Sequence, residues 1–364
     1  MINEKLRVGI IGIGVYAVWA HVPQLRETGK ADVVAIARRD PERLAMAQEK
    51  LAIPEAYTDW REMLAKSQLD AVVVCTPHHL HTEPTLAALD AGLHVLVAKP
   101  MALTSKDAWA MVKAAKQAQK VLMVGYPSRL EGSWQTVKQV VADGAIGQLR
   151  QINLAICAYR RWFWENEQLP ADVQELLQQY MGMPDAFFAD WGLTWHSNPA
   201  EMGGGAFTDL GTHAVDRLLW MAGAPPVEVV AFTEKAGMPA ESFVNVQARL
   251  ANGVLLSFSW ADAVPRKLLS SDRHLLIIGD KGLLTDDADN NLWLFRDGER
   301  TKLEPAFPTR TEASAFVAAI LEGDQRYPQA HEGAYAVDFV EAMYRSAAEG
   351  RIVQLEPKEE YTYP

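Results

Sequence analysis

The chain has 364 residues, is 49% hydrophobic, and carries 35 Lys and Arg against 46 Asp and Glu, so its formal charge is −11. An acidic balance without basic runs argues against nucleic acid as a partner, and two cysteines are too few for a disulfide framework. No apolar stretch reaches the roughly 20 residues that a membrane span needs. We therefore expect a cytoplasmic protein that binds neither nucleic acid nor membrane.

From residue 6 to about 125, short apolar runs alternate with longer amphipathic ones, which is typical of a parallel sheet covered by helices on both faces. The predicted strands are 7–11, 33–37, 71–75, 94–97 and 121–124. The predicted helices are 17–28, 41–51, 60–66, 82–91 and 105–119. Because the strands are apolar throughout, both faces of the sheet are expected to be buried. The pattern predicts a doubly wound domain over 1–125.

After residue 125, strands follow one another with short turns, which favours an antiparallel sheet. The predicted strands are 149–159, 226–233, 242–250, 253–261, 274–278, 282–285 and 291–296. The predicted helices are 132–143, 212–221, 310–323 and 332–349. Residues 126–364 are therefore expected to form a second, α+β domain.

A glycine-rich turn joins the first predicted strand to the first predicted helix. Its G-x-G-x-x-A pattern comprises Gly12, Gly14 and Ala17. The first glycine permits a tight turn, the second lets backbone approach a pyrophosphate, and Ala17 allows the helix to pack on the strand. The amides that open the helix would meet the phosphates. The strand before and the helix after favour a dinucleotide site, with Val15 and Tyr16 beside it, over a merely tight turn.

The end of the second predicted strand bears on the choice of dinucleotide. An NAD-specific protein usually has Asp or Glu there for the ribose 2′-hydroxyl, whereas this chain has Arg38 and Arg39. A guanidinium suits a 2′-phosphate and can stack on adenine, so the pattern favours NADP over NAD. The alternative is a solvated Arg pair with Asp40 as a displaced ribose ligand.

Several ordered motifs occur further along the chain. They are Thr76-Pro77-His78 with His81, Ala98-Lys99-Pro100, Gly203-Gly204-Gly205, and then Asp209, Gly211, His213 and Asp216. Their order resembles the glucose-fructose oxidoreductase, inositol dehydrogenase and rhizopine-catabolism (Gfo/Idh/MocA) family. The resemblance extends from residue 6 to about residue 349.

The resemblance implies a Rossmann domain, a second α/β domain with a large, open sheet, a nicotinamide cofactor, and redox chemistry on a sugar, inositol or related polyol. The family's catalytic Lys, Asp and His carry over to Lys99, Asp209 and His213. In such proteins the Lys-Pro bond is often cis. The cofactor is expected to contact a further set of residues beyond the glycine turn and the Arg pair, namely Thr76, Pro77, His78, His81, Ala98, Lys99 and Pro100.

Hydride transfer from a carbinol carbon must be matched by loss of the hydroxyl proton, so the reaction needs a positioned base. Lys99 can serve as base in oxidation and acid in reduction. Asp209 and His213 are four apart, which would place both on one face of a helical turn, where either could share or relay the proton. The alternatives are a core or capping role for His213 and an N-cap role for Asp209. The family motif begins with Glu where this chain has Ala98.

A substrate pocket is expected where aromatic side chains cluster. Flat rings suit the C–H faces of a sugar, while His and Arg can reach its hydroxyls. Packing of a subunit interface or of the loop's own small core is the alternative for each Trp. The candidate substrate residues besides the catalytic three are Trp162, Trp164, Trp195, His196, Tyr126 and Arg129. His78 and His81 lack a third ligand of suitable spacing, so no metal site is predicted.

The leading hypothesis is an oxidoreductase that acts on a sugar or polyol hydroxyl or the corresponding carbonyl. A glycoside-cleaving enzyme that uses tightly bound NAD and a transient oxidation is a second hypothesis. A non-catalytic sensor that binds nucleotide is a third, and the presence of Lys99, Asp209 and His213 argues against it. An open sheet would be costly to leave exposed if apolar, so a homodimer or homotetramer is expected.

Overall fold

The computed structural model describes residues 5–158, 195–262, 272–358 and 360–363. These residues form two compact units. The first unit comprises 5–127, 195–202 and 311–330, and the second comprises the remaining described residues. Two segments from the later part of the chain thus belong to the first unit.

Helices are present in both units. They are α1 (Val22–Glu27), α2 (Pro41–Leu51), α3 (Trp60–Lys66), α4 (Thr82–Asp90), α5 (Ser105–Ala118), α6 (Gly132–Ala142), α7 (Pro199–Met202), α8 (Thr212–Ala222), α9 (Glu312–Leu321) and α10 (Ala330–Glu349). Several begin at residues that cap free amides: Asp40 accepts from two backbone amides of α2, and Thr104 from one of α5. In the described part of the chain, every helix is too short or too polar to cross a membrane.

A six-stranded parallel sheet lies in the first unit, as far as the structure describes it. Its strands are β1 (Leu6–Ile11), β2 (Ala31–Ala37), β3 (Glu55–Tyr57), β4 (Ala71–Val74), β5 (His94–Ala98) and β6 (Leu122–Gly125). Their order is β3-β2-β1-β4-β5-β6, so the chain reverses its direction of winding between β1 and β4. Ligands of such sheets bind outside the carboxyl ends of the strands at this reversal. The predicted doubly wound fold is confirmed, with β3 as an additional edge strand.

Nine described strands form the sheet of the second unit, in the order β14-β13-β12-β11-β7-β10-β9-β8-β15. They are β7 (Leu149–Ala158), β8 (Pro226–Glu234), β9 (Phe243–Leu250), β10 (Leu255–Asp262), β11 (Asp272–Gly279), β12 (Gly282–Asp286), β13 (Leu292–Arg296), β14 (Glu299–Leu303) and β15 (Val353–Gln354). β7 and β10 pair in parallel and the other described pairs are antiparallel, which confirms the predicted mostly antiparallel sheet. Buried and exposed residues alternate along β9, so one face packs on the core.

Candidate active site

The glycine-rich turn after β1 has the geometry of a dinucleotide cradle. Gly12 has a φ of +92°, and a Cβ there would lie 2.5 Å from the carbonyl oxygen of Cys75, so only glycine fits. A Cβ on Gly14 would meet no protein atom within 4 Å, which leaves that side of the turn open to a ligand. Ala17 is fully buried, as close packing of helix on strand requires. These features fit a bound pyrophosphate.

Helical structure begins directly after this turn. A π-helical segment spans Ala17–His21 and continues into α1. Its first amides lie at the carboxyl end of β1, where the partial positive charge of a helix N-terminus favours a phosphate. Tyr16 is 37% exposed, and its hydroxyl donates a hydrogen bond of 3.0 Å to Glu312 Oε2. The turn is therefore held by a side chain from a distant part of the chain.

The two Arg residues at the end of β2 occupy different environments. Arg38 is half-buried, and its Nη1 donates a 2.9 Å hydrogen bond to the carbonyl oxygen of Ile13 in the glycine turn. Arg39 is exposed. Asp40 caps α2 by accepting hydrogen bonds from the amides of Glu42 and Arg43. Arg38 thus supports the turn, and Arg39 is the exposed cation at the expected place of the adenosine ribose.

The loop that follows β4 contains Thr76 and Pro77, both half-exposed, and two buried His residues. His78 Nδ1 lies 3.0 Å from the carbonyl oxygen of Met202. The two ring nitrogens of His81 lie 2.8 Å from the carbonyl oxygens of Thr76 and Pro100. His81 is fully buried and its burial lowers its pKa to about 4. Its ring therefore joins the loops after β4 and β5.

Lys99 stands at the carboxyl end of β5, directly after Ala98. It is half-buried, and its peptide bond to Pro100 is cis, as the resemblance implies. Burial raises the pKa of the Cys75 thiol to about 12, and the positive charge of Lys99 works against this rise. Lys99 is thus an amine at the same edge of the sheet as the glycine turn, which is the edge where ligands of doubly wound sheets bind. Among the described residues, no group of three His, Cys, Asp or Glu side chains could hold a metal ion.

Asp209 and His213 belong to consecutive helical segments of the second unit. Asp209 belongs to a π-helical turn, Phe207–Gly211, which continues into α8, and His213 lies in the first turn of α8. Asp209 is 7% exposed and His213 is half-buried. The N-cap residue of α8 is Gly211, with no side-chain capping bond, so Asp209 is not a simple N-cap. The two side chains remain candidates for holding or relaying a proton.

A buried network, not foreseen from the sequence, shapes the chain before Asp209. Glu241 accepts hydrogen bonds from the amides of Gly205 and Phe207 at 3.0 and 3.2 Å, and from the Tyr344 hydroxyl at 2.7 Å. A Cβ on Gly204 would lie 2.1 Å from that hydroxyl. The triple glycine is therefore explained by the close approach of Tyr344 and Glu241, which fix the turn that carries Asp209.

Arg129 and Tyr126, both predicted to bind substrate, are buried. Tyr126 is fully buried. Arg129 Nε donates a 2.7 Å hydrogen bond to Asp216, and its Nη1 lies 2.7 Å from Glu332 Oε2. The three side chains of this ion triad are at most 3% exposed. The geometry gives Arg129 a structural role in the second unit.

The predicted aromatic pocket is described only in part. Trp162 and Trp164 lie outside the described residues. Trp195 is half-buried and packs edge-on against His78 at a centroid distance of 4.6 Å. The centroids of the Trp195 and His196 rings lie 3.6 Å apart. Trp195 and His196 belong to the first unit, beside the loop after β4. They are thus placed near predicted cofactor residues of the same unit.

The chain is similar to known families and proteins along most of its length. The family described as "Oxidoreductase family, NAD-binding Rossmann fold" matches residues 6–126, and the "GFO/IDH/MocA C-terminal domain" matches residues 178–285. The 1,5-anhydro-D-fructose reductase of Ensifer adhaerens is 28% identical over 360 residues, which cover 96% of this chain and 98% of the reductase.

Two further proteins are similar. The D-glucoside 3-dehydrogenase of Escherichia coli (strain K12) is 30% identical over 63% of this chain and 58% of its own. The crystal structure of an aldose-aldose oxidoreductase from Caulobacter crescentus, complexed with glycerol, superposes with a TM-score of 0.78 at 26% identity. That match covers 97% of this chain and 100% of the other.

Proposed function

Because the chain belongs to the Gfo/Idh/MocA oxidoreductase family, we propose that it transfers a hydride between a nicotinamide dinucleotide and a hydroxyl or carbonyl of a sugar or polyol. The observation that carries the proposal is Lys99 at the carboxyl end of β5, in the same sheet as the open glycine turn. The names of the similar reductase, dehydrogenase and aldose oxidoreductase support the substrate class.

Each proposed catalytic residue has one task. The dinucleotide, when bound along the glycine turn and the loops after β4 and β5, supplies the hydride acceptor. Lys99 takes the hydroxyl proton during oxidation and returns a proton during reduction. Asp209 and His213, on one helical turn, hold or relay that proton. Residues 126–364, apart from 195–202 and 311–330, which belong to the first unit, are proposed to supply the substrate-binding domain, with Trp162 and Trp164 among its candidates.

A substrate panel tests the proposal. Sugars, inositols and glycosides are offered with NAD and NADP in both directions, and the reaction is followed by absorbance at about 340 nm and by product analysis. We expect net reduction of cofactor with at least one sugar or polyol. Consumption of a glycoside without a net change in absorbance would support glycoside cleavage instead. Saturable dinucleotide binding without any turnover would support a sensor.

We further propose a preference for NADP over NAD, because Arg39 is exposed at the end of β2. Replacing Arg39 with Ala should weaken NADPH binding about tenfold and leave NADH binding nearly unchanged, since the 2′-phosphate loses one charge-assisted contact. Arg39→Asp should favour NADH further. Fluorescence titration gives the dissociation constants of NADPH and NADH for both variants. The control is Lys50→Ala, which removes an exposed cation from α2. Equal or tighter NADH binding by the unmodified protein would contradict the preference.

Assembly into a homodimer or homotetramer is also a proposal. The outward residues of β9 and β10 include Asn245, Gln247, Ser257 and Ser259, so exposed apolar area alone does not require a partner there. Phe232 on β8 is 75% exposed and is the apolar residue at which we expect the contact to centre. Light scattering at micromolar concentration should show at least a dimer, and Phe232→Glu should shift it toward monomer. A monomeric unmodified protein would contradict this proposal.

A further inference from the structure

Glu312, the first residue of α9, is a buried carboxyl at the carboxyl edge of the parallel sheet. It is 2% exposed. A Cβ on Gly125 would lie 2.8 Å from Glu312 Oε1 and 3.4 Å from the Cα of Ala98. Ala98 and Gly125 are partners in the parallel pair of β5 and β6, and paired residues project on the same face of a sheet. The carboxyl therefore lies on the face onto which residue 98 projects.

The contacts of Glu312 lead to the glycine turn. The Tyr16 hydroxyl donates to Oε2 at 3.0 Å, and His21 Nδ1 lies 4.0 Å from the same oxygen. The rings of Tyr16 and His21 meet edge to face at 5.0 Å. Tyr16 follows Gly14 by two residues in the sequence, so the carboxyl restrains the segment that opens the helix after the turn.

The ionisable groups around Glu312 differ from it in their pKa values. Burial raises its pKa to about 7, against the lowering effects of the Tyr16 hydrogen bond and of the positive charge of Lys99. Burial lowers the pKa of His21 to about 4, so that ring is neutral at pH 7. Burial raises the pKa of both the Tyr16 hydroxyl and the Cys75 thiol, and both stay protonated. Of these four groups, Glu312 is the one whose pKa lies near neutral pH, so it is the one that can carry a negative charge there.

We propose that Glu312 is a positioning residue for both parts of the first unit's site. Its carboxyl holds Tyr16, and through Tyr16 the dinucleotide turn, and its negative charge acts on Lys99 from the face where residue 98 has no carboxylate. The role toward Lys99 rests on the proposed function, whereas the role toward the turn does not.

Three variants separate these two roles. Glu312→Gln removes the charge, Tyr16→Phe removes the hydrogen bond, and the double variant Ala98→Glu with Glu312→Ala moves the carboxylate to residue 98. Glu322→Gln, an exposed carboxylate that follows the last residue of α9 and pairs with Lys30, is the matched control. The measurements are NADH and NADPH affinity, the pH profile of kcat/KM for oxidation, and the melting temperature as a function of pH.

A nearby negative charge favours the protonated form of an amine, and Glu312→Gln removes such a charge. In Glu312→Gln, the rise of kcat/KM with pH should move to lower pH by at least about half a unit, and the double variant should restore it. Tyr16→Phe should weaken dinucleotide binding about fivefold without moving the profile.

Stability provides a readout that needs no cofactor. A carboxyl whose pKa is raised by folding stabilises the fold at pH values below its unfolded pKa, and this contribution is lost as the pH rises through about 7. Glu312→Gln should therefore melt at a higher temperature than the unmodified protein at about pH 8, and the difference should shrink at about pH 5.

The inference is overturned if Glu312→Gln and Tyr16→Phe match the control in pH profile, dinucleotide affinity and melting. A Lys99→Met variant with normal turnover would instead overturn the proposed function, and the affinity of Tyr16→Phe would still decide the role of Glu312 toward the turn. An unrestored profile in the double variant, with the single-variant shift present, would overturn the part that concerns residue 98.

Discussion

Lys99→Met should lower the rate of substrate oxidation at least about a hundredfold, because methionine has nearly the same length but cannot accept the hydroxyl proton. The amine lies at the carboxyl end of β5, beside the loops that the dinucleotide is proposed to contact. Steady-state kinetics with the substrate identified by the panel measures the effect. Both kcat and kcat/KM should fall, since the lost interaction is made in the transition state.

Two controls test whether Lys99→Met changes anything besides the acid/base group. Lys113→Met, at an exposed position of α5, should keep the normal rate. NADH affinity of Lys99→Met should stay within about threefold of the unmodified protein, because the glycine turn and the Arg pair are untouched. A variant at position 99 that turns over at a near-normal rate would contradict the assignment of the acid/base.

Arg129→Met should lower the free energy of unfolding by about 3–5 kcal/mol near neutral pH, because it leaves two buried carboxyls without the guanidinium between them. Arg129 contacts both Asp216 and Glu332 inside the second unit, and neither carboxyl is exposed to solvent. Urea denaturation at about pH 7.5 measures the loss.

The loss should depend on pH. Burial raises the pKa of Asp216 to about 6, even though Arg129 lowers it. Its contribution to stability is thus present below its unfolded pKa and is lost as pH rises through about 6, and removing Arg129 raises the folded pKa further. The deficit of Arg129→Met should therefore shrink toward about pH 4.

A surface pair provides the comparison. Arg150 lies 3.3 Å from Asp280, and its side chain is 56% exposed, so Arg150→Met should change stability by less than about 1 kcal/mol. If Arg129→Met were no less stable than Arg150→Met at neutral pH, the ion triad would not make the contribution to the free energy of unfolding that its burial implies.

Local sequence patterns were sufficient for most of the fold. The bounds of α2 and α3 are those predicted, because Pro41 and Asp59 mark clear helix starts. Three strands were not predicted. The three residues of β3 are all half-buried, β14 is almost entirely exposed, and β15 has only two residues, so none has the apolar run that indicates a strand.

The candidate site also contains some residues that the sequence indicates and others that it does not. Gly12 and Lys99 belong to short motifs whose chemistry can be recognised from neighbouring residues. Glu312 is 296 residues from its partner Tyr16, and Arg129 is 87 residues from Asp216. No local pattern reports such pairings, because they arise only when the chain folds back on itself. In sequence, an acidic residue that opens a helix usually indicates an exposed first turn, which is why Glu312 escaped notice.

The family's Glu at position 98 is the one departure that the sequence did reveal. The structure places a different carboxyl, that of Glu312, on that face of the sheet, where we propose that it acts as a positioning residue. The absence of the motif residue therefore does not by itself argue against redox activity.

The fate of a carbon-bound hydrogen tests the central claim most directly. A uniformly C-deuterated form of the substrate found by the panel is oxidised with NAD or NADP, and the reduced nucleotide and the product are analysed by mass spectrometry. A hydride-transferring oxidoreductase predicts one deuterium in the reduced nicotinamide and its loss from the product. Full retention of deuterium in the product, with no label in the nucleotide, would contradict the account.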